Sequence, residues 1–485
     1  MDKTGYGNER SWAEATYGGS TLPDKRLEKR LVSYASAQMA APTQSTAKAC
    51  RSSAEREGAY RLLENERVTA EDILEGPIRE TLRRCRAGQR VLVVQDTSSV
   101  EVAHQPLREA LKEEGSPTGW HSHVALAVDP ERRLPIGVLA MHNWIREPQH
   151  ARRRQRASGE QDKESLRWQQ TAEQAHARCT ALEHELELVT VADREADMYE
   201  LMAYHEQAGL GYVLRAKHAR KVRTTDPAIA DIREALAAAP VLGTRSVHVA
   251  QRGGQRGGSG QKARGARKAE VVQTELRACE LELKRPANLP SELPSSLKVT
   301  VVQACSQQQH ASGKPVLDWV LLSSEPVQTQ AEAEQVVQMY ECRWLIEEVF
   351  RGWKSGCRLE ERPLQSVDAV ERMMAILLPM AVRLLCLREL REQDSDDAHP
   401  VLCDQVLETD QWQCLWLHTE TGKALPEEPP RCRWAYLALA KLGGFCDSKR
   451  TGRASWNTLW DGLLKLNNYV IGFRLAKAQL AGPKM

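Results

Sequence analysis

Residues 91–100, VLVVQDTSSV, carry four apolar side chains and a Gln into Asp96, and three hydroxyl residues, Thr97, Ser98 and Ser99, follow. The apolar run reads as a strand of a buried sheet, and the acid as the point where that strand leaves the core, because a buried carboxylate without a partner is costly. Two further strand-like runs follow, HVALAV at 123–128 and LPIGVLAM at 134–141, joined by the turn-like DPERR. A polar helix over roughly 162–184 comes next. It leads to the strand LELVTVA at 186–192, a helix over 195–207 and the strand GYVLRA at 211–216. The order β-β-β-α-β-α-β predicts an α/β layer with a mixed sheet, the order of the ribonuclease-H-like fold.

Residues 217 to about 328 hold more strand candidates, RSVHVAQ, EVVQTELRACELELK, SLKVTVVQA and DWVLLS, and so imply a β-rich insertion. Within it RGGQRGGSGQKARGARK, at 252–268, is Gly-rich and basic. One helix of about thirty residues is expected from Thr329 to near Gly356, then an apolar helix around 371–390. The apolar segment MMAILLPMAVRLLCL includes Pro379 and Arg383 and is too short to span a bilayer, so it reads as a buried helix.

Residues 1–72 read as a small helical bundle, and EDILEGPIRETLRRCRAG as another helix with basic residues in its last turns. Residues 392–430 read as an acidic, Pro-containing connector with short helices, and the C-terminal segment as two helices around Gly443 and Gly444. The expected organisation is an N-terminal helical domain over 1–72, an α/β domain over 73–370 and a helical region over 371–485.

With 485 residues, 41% of them hydrophobic, the chain can build two or three packed domains. The net charge of +2, from 67 basic and 65 acidic residues, does not by itself point to nucleic acid, so local clusters carry that question. Twelve cysteines without a C-x-x-C pair suggest neither a zinc site nor a disulfide framework. The polar start MDKTGYGNERSW lacks the apolar stretch of a signal peptide, which leads us to expect a cytoplasmic protein.

Asp96 and Asp193 each follow an apolar strand run. Sheet ends are where α/β folds display functional side chains, and two carboxylates there could share Mg²⁺, which favours hard oxygen ligands. An acid at a strand end is also the usual N-cap or turn residue. In QMYECRWLIEEVFRGWKSG, residues Tyr340, Arg343, Glu347 and Lys354 are spaced i, i+3, i+7 and i+14. A continuous helix would place them within about 60° of one face, with Arg351 beside them. Leu345, Ile346, Val349, Phe350 and Trp353 would hold the opposite face to the sheet. One carboxylate flanked by cations and a phenol suits phosphodiester chemistry, whereas a plain solvated face would give only an Arg343–Glu347 ion pair.

The spacing Y-x2-R-x3-E-x6-K resembles the signature of the insertion-sequence-four family of bacterial cut-and-paste transposases, which includes the Tn-five transposase. The resemblance extends to EGAYR, QDTSSV, DREAD, VLRAKHARK, WVLL, RWLIEE with GWK, ERMMAIL, AVRLL and GGFCDSKRTGRASW. It implies a ribonuclease-H-like core with Asp96, Asp193 and Glu347 as a DDE triad that holds two Mg²⁺ ions, Mn²⁺ being a substitute. It also implies an N-terminal DNA-end-binding domain, a C-terminal dimerisation region and a homodimer on double-stranded DNA, acting on terminal repeats and on target DNA at the nucleoid.

In that family water cuts one strand, the freed 3′-OH forms a hairpin on the other, water opens it, and the 3′-OH joins target DNA. Tyr340, Arg343 and Lys354 match the phosphate-handling positions, and Arg351 stands where the family has a second Lys. Trp319 in DWVLLS matches the base-stacking Trp, although a strand Trp is otherwise a core residue. Basic clusters at 83–90, 146–156 and 215–223, the last with Arg215 and Lys217, offer further phosphate contacts. The cluster at 146–156 departs from the family pattern. Two alternatives stay open: a ribonuclease-H-like nuclease that hydrolyses without joining, and a catalytically silent DNA-binding relative.

Overall fold

The computed structural model describes residues 9–113, 119–145, 166–223, 228–249, 270–309, 313, 315–393, 400–446 and 453–480. The chain divides into two compact units, residues 1–186 with 344–485, and residues 187–343.

The first unit opens with helices α1 Glu9–Tyr17, α2 Lys25–Ala40, α3 Thr46–Ala49, α4 Ser53–Leu63 and α5 Ala70–Arg84. Their starts follow from local chemistry. Asp24 accepts from Arg26 N and Leu27 N, Ser52 accepts from Glu55 N, and Thr69 with Asp72 forms a capping box.

Strand β1 Arg90–Glu101 follows, then α6 Gln105–Glu113, β2 Gly119–Asp129, β3 Leu134–Ile145 and α7 Leu166–Thr180. β2 pairs antiparallel with both β1 and β3, and Asp129 Oδ1 closes the β2–β3 turn by accepting from Glu131 N and Arg132 N. The expected hairpin is present. β1, however, runs well beyond the apolar stretch. Its register with β2 continues from Asp96↔Val124 to Glu101↔Gly119, so Asp96 lies inside the strand and not after it. The backbone of β2 supplies the ladder that the polar side chains at 97–99 do not forbid, and Val100 is buried again.

The second unit begins with β4 Glu187–Ala192, a 3₁₀ turn Arg194–Ala196, α8 Tyr199–Ala208 and β5 Gly211–Arg215. β4 and β5 are parallel, as a crossover through a helix allows, and Gly209 ends α8 in the left-handed region at φ +66°. There follow β6 Val222–Arg223, α9 Ile232–Ala238, β7 Val241–Val249, β8 Glu270–Lys284, β9 Ser296–Ser306, β10 Asp318–Ser323 and α10 Gln330–Glu341. Within this unit the strand order is β4-β5-β10-β9-β8-β6, and β7 also pairs with β8. Among the described strands of this unit only β4 and β5 run parallel. β10 pairs antiparallel with both β5 and β9, so the inserted strands extend the β4–β5 sheet. The result is a mixed α/β architecture compatible with a ribonuclease-H-like domain.

The long helix expected from Thr329 to Gly356 is broken. Cys342 N and Arg343 N donate to Met339 O and Tyr340 O at 3.2 and 3.0 Å, the tight i→i+3 pattern that closes α10. A new helix, α11 Trp344–Arg351, starts in the first unit and runs into a π-helical turn, Gly352–Gly356. Tyr340 and Arg343 therefore end one helix, Glu347 sits on another, and Lys354 lies in the π turn. The shared face inferred from their spacing is not the face of one helix.

The first unit is completed by α12 Val367–Gln393, α13 Thr409–Thr419, α14 Cys432–Leu442 and α15 Trp456–Leu480. α12 is the expected buried apolar helix. Met373 through Leu378 are fully buried, and Tyr17 Oη donates to Ile376 O at 2.6 Å. Among the described residues no helix is long and apolar enough to cross a membrane.

Candidate active site

In the first unit, β1 presents Asp96 half-exposed between two side chains that point the other way, as strand alternation requires. Those two are clamped by one imidazole. His123 Nδ1 lies 2.8 Å from Thr97 Oγ1, and its Nε2 lies 3.1 Å from Gln95 Oε1. The arrangement suits a neutral ring that donates to Gln95 and accepts from the Thr97 hydroxyl. Trp168 of α7 sits edge-on at 4.5 Å. The Asp96 carboxylate itself accepts from Thr97 N at 2.8 Å.

Burial pushes the His123 imidazole down to about 3, and the charges of His142 and Arg167 act in the same direction. In the unfolded chain a histidine titrates near 6.5, so the stability this residue gives is whole above about pH 6.5 and is lost as pH falls toward 3. Between neutral pH and about pH 5 the expected loss from His123 is about 2 kcal/mol. Urea unfolding at the two pH values measures it, and His123→Gln should flatten the difference.

α11 packs against β1, which brings the helix of Glu347 to the strand of Asp96. Leu345, Ile346, Val349 and Phe350 are its buried side, and Glu347 is half-exposed. Lys354 Nζ donates to Ser99 O at 3.1 Å and so ties the π turn to the far end of the same strand. The turn is possible because two glycines admit two indoles. A Cβ on Gly352 would meet the Trp456 ring at 3.2 Å, and one on Gly356 would stand 2.1 Å from Trp460 Nε1.

Glu348, which the sequence reading passed over, anchors α11. It accepts from Arg388 Nη1 at 2.5 Å, Trp456 Nε1 at 3.1 Å and Arg351 Nη1 at 2.6 Å. Arg351 is thus engaged with its own helix. The only sequence hint of this role is the i, i+3 spacing of Glu348 and Arg351.

In the second unit Asp193 follows β4 directly, as expected, and its Oδ1 caps the 3₁₀ turn by accepting from Glu195 N at 2.8 Å. The capping reading of this acid is therefore satisfied. Four residues on, Asp197 is buried and holds the basic segment in place. Its Oδ2 accepts from Lys217 N and His218 N at 2.7 and 2.9 Å, and its Oδ1 accepts from Arg220 Nε at 2.6 Å. Arg220 is itself buried, and the pair sets the path of residues 215–220 while leaving the Lys217 side chain exposed.

Trp319 and Tyr340 are both buried, with ring centroids 5.0 Å apart and planes at 74°. Burial raises the Tyr340 phenol, and Arg343 and Arg215 pull it back. Arg343 is 9% exposed, and Arg215 Nη2 donates to Asp318 O at 3.3 Å. The second unit thus gathers Asp193, Arg215, Trp319, Tyr340 and Arg343, while the first holds Asp96, Glu347, Arg351 and Lys354. The basic stretches at 146–156 and 252–268 lie outside the described residues.

Residues 9–68 match the transposase DNA-binding family, and residues 158–383 match the transposase DDE domain. The chain is a DDE transposase. The DNA-binding match spans α1 to α4 of the transposase, and the DDE match takes in Asp193 and Glu347. Tyr340, Arg343, Lys354, Trp319, Arg215 and Lys217 also fall within the DDE match, whereas Asp96 precedes it. DDE domains use divalent metals. Among the described residues of the transposase no three His, Cys, Asp or Glu are grouped as a cage for a metal ion. Carboxylate oxygens nonetheless have the chemistry for Mg²⁺, which keeps several waters and takes substrate phosphate oxygens as ligands.

Proposed function

We propose that the transposase excises an element by cutting at its terminal repeats through a DNA hairpin and joins the 3′ ends to target DNA. Asp96, Asp193 and Glu347 are the carboxylates that hold two Mg²⁺ ions. The observation that carries this reading is the packing of α11 on β1, which sets a DDE-domain glutamate against a strand with a half-exposed acid.

When bound, the two ions supply activation of the attacking oxygen and charge stabilisation at the leaving oxygen. The chain's own residues do the positioning. Arg343 offers a planar fork to a phosphate, and Lys354 a point charge beside β1. The Asp197–Arg220 pair fixes the backbone from which Arg215 and Lys217 reach a DNA strand.

Helices α1 to α4 read the transposon ends. The C-terminal helices serve dimerisation, a role supported by the exposed apolar residues Tyr469, Ile471 and Leu475 of α15. The domain division follows: end binding over 1–72, catalysis over 73–370 and dimerisation over 371–485. The place of action is the bacterial nucleoid, in the cytoplasm, as for the family it resembles.

In the hairpin step a displaced base must stack, and Trp319 is the aromatic at the matching position. Because its ring is buried edge-on to Tyr340, stacking requires this pair to open. Trp319→Ala is expected to slow hairpin formation at least tenfold and the first nick much less, on the scale of about 1–3 kcal/mol per stacked base. Gel analysis of nicked and hairpin products over time checks it, and equal slowing of both steps would remove this role.

The reading as a whole is tested by incubating purified protein and Mg²⁺ with the DNA that flanks its own gene. Nicked, hairpin and joined products are expected. Hydrolysis with no joined product would favour a simple nuclease, and binding with no cleavage a silent relative.

A further inference from the structure

Within the second unit one acid is surrounded by arginines that the catalytic reading does not use in full. Arg233 Nη1, from α9, donates to Asp318 Oδ2 at 2.7 Å, and Gln303 Nε2, from β9, donates to Asp318 Oδ1 at 2.9 Å. Arg215 Nη2 reaches the Asp318 carbonyl at 3.3 Å, while Arg215 Nε is buried without a hydrogen-bond partner among the described residues.

Arg215 from β5 and Arg233 from α9 thus converge on Asp318, next to Trp319, the residue that follows it. Cations beside an aromatic pair are what a nucleic-acid backbone and its unstacked base require. One Asp318 carboxylate oxygen takes a single bond from Arg233 Nη1, the kind of contact a phosphate oxygen would make. The Asp318 side chain is 28% exposed, so solvent and a competing anion can reach it.

We propose that Arg215 and Arg233 form a phosphate-binding pair beside Trp319, in which Asp318 is a resident anion that a DNA backbone phosphate displaces from Arg233. This rests on the DNA-processing reading above and adds a residue that tunes the grip. Asp318 neutralises Arg233 when no DNA is bound, weakens the complex and favours release of the strand.

The test uses the full-length protein and a fluorescent DNA hairpin of arbitrary stem sequence, with anisotropy read from about 0.05 to 0.2 M KCl. Asp318→Asn is expected to bind about threefold to tenfold tighter. Its slope of log K against log salt should be steeper by about 0.7–0.9, the contribution of one more released counterion. Arg233→Gln should bind more weakly and with a shallower slope. Asp318→Ser repeats the measurement without an amide to take up the Gln303 and Arg233 bonds, and thermal melting reports folding of each variant. Wild-type affinity and slope in both folded Asp318 variants would overturn the inference and leave the DNA reading standing. A wild-type protein with no salt-dependent DNA binding would overturn both.

Discussion

Asp193→Asn is expected to leave folding and DNA-end binding nearly unchanged while end cleavage falls about a thousandfold or more. The variant separates two roles of one side chain. As a cap, Asp193 accepts from Glu195 N at 2.8 Å, and an amide oxygen can accept the same bond at a cost of a few tenths of a kcal/mol. As a metal-binding group it needs the negative charge that Asn lacks. Asp96→Asn gives a parallel case, since its carboxylate accepts from Thr97 N, and Glu347→Gln keeps a half-exposed helix surface intact. Cleavage of labelled end DNA in Mg²⁺ is compared with anisotropy and melting of each variant. Full cleavage by any one of the three would sink the triad assignment.

The largest expected effect on stability belongs to Arg362, a residue with no part in the chemistry. It is 3% exposed. Its Nη1 donates to Gln38 Oε1 at 2.9 Å and to Gln44 O, and its Nη2 donates to Pro42 O and Cys357 O at 2.5 and 2.7 Å. One guanidinium thus ties the α2–α3 connection, inside the matched DNA-binding residues, to the end of the π turn that carries Lys354. Arg362→Met fills part of the volume but leaves three buried carbonyls without this donor. Urea unfolding should show a loss of about 3–5 kcal/mol. Arg362→Lys should recover only part of it, because an ammonium cannot serve four acceptors from one plane. A loss below about 1 kcal/mol would mean that water replaces the guanidinium at these carbonyls.

Much of the candidate site was legible because its signals are local. Asp193 follows β4 as the apolar run LELVTVA predicts, and Glu347 lies on a helix whose buried side is the one read from the sequence. Two expectations failed where a distant partner decides the outcome. The cost of burying a lone carboxylate predicts a strand end at Asp96, but β2 carries the ladder on to Glu101. Tyr340, Arg343, Glu347 and Lys354 were placed on one helix because their spacing allows it. Instead α10 closes at Cys342 and Arg343, with Tyr340 against Trp319, and α11 begins anew, packed on β1.

By itself the sequence determined strands β1–β5 and β7–β10 in their order, the β2–β3 hairpin, the buried character of α12, and the residue types that phosphodiester chemistry needs, but not the helices α6 and α9. These follow from periodicity, turn residues and caps, all of which act within a few positions. Only the tertiary structure decided how far β1 extends, where the long helix breaks, and which charges meet. Glu348 with Arg388, Asp197 with Arg220, Arg362 with the α2–α3 backbone and Asp318 with Arg233 are ion pairs or hydrogen bonds between segments distant in sequence. No local pattern encodes such pairings. Each forms because folding brings two polar groups to one place where water is scarce and leaving either unpaired is costly.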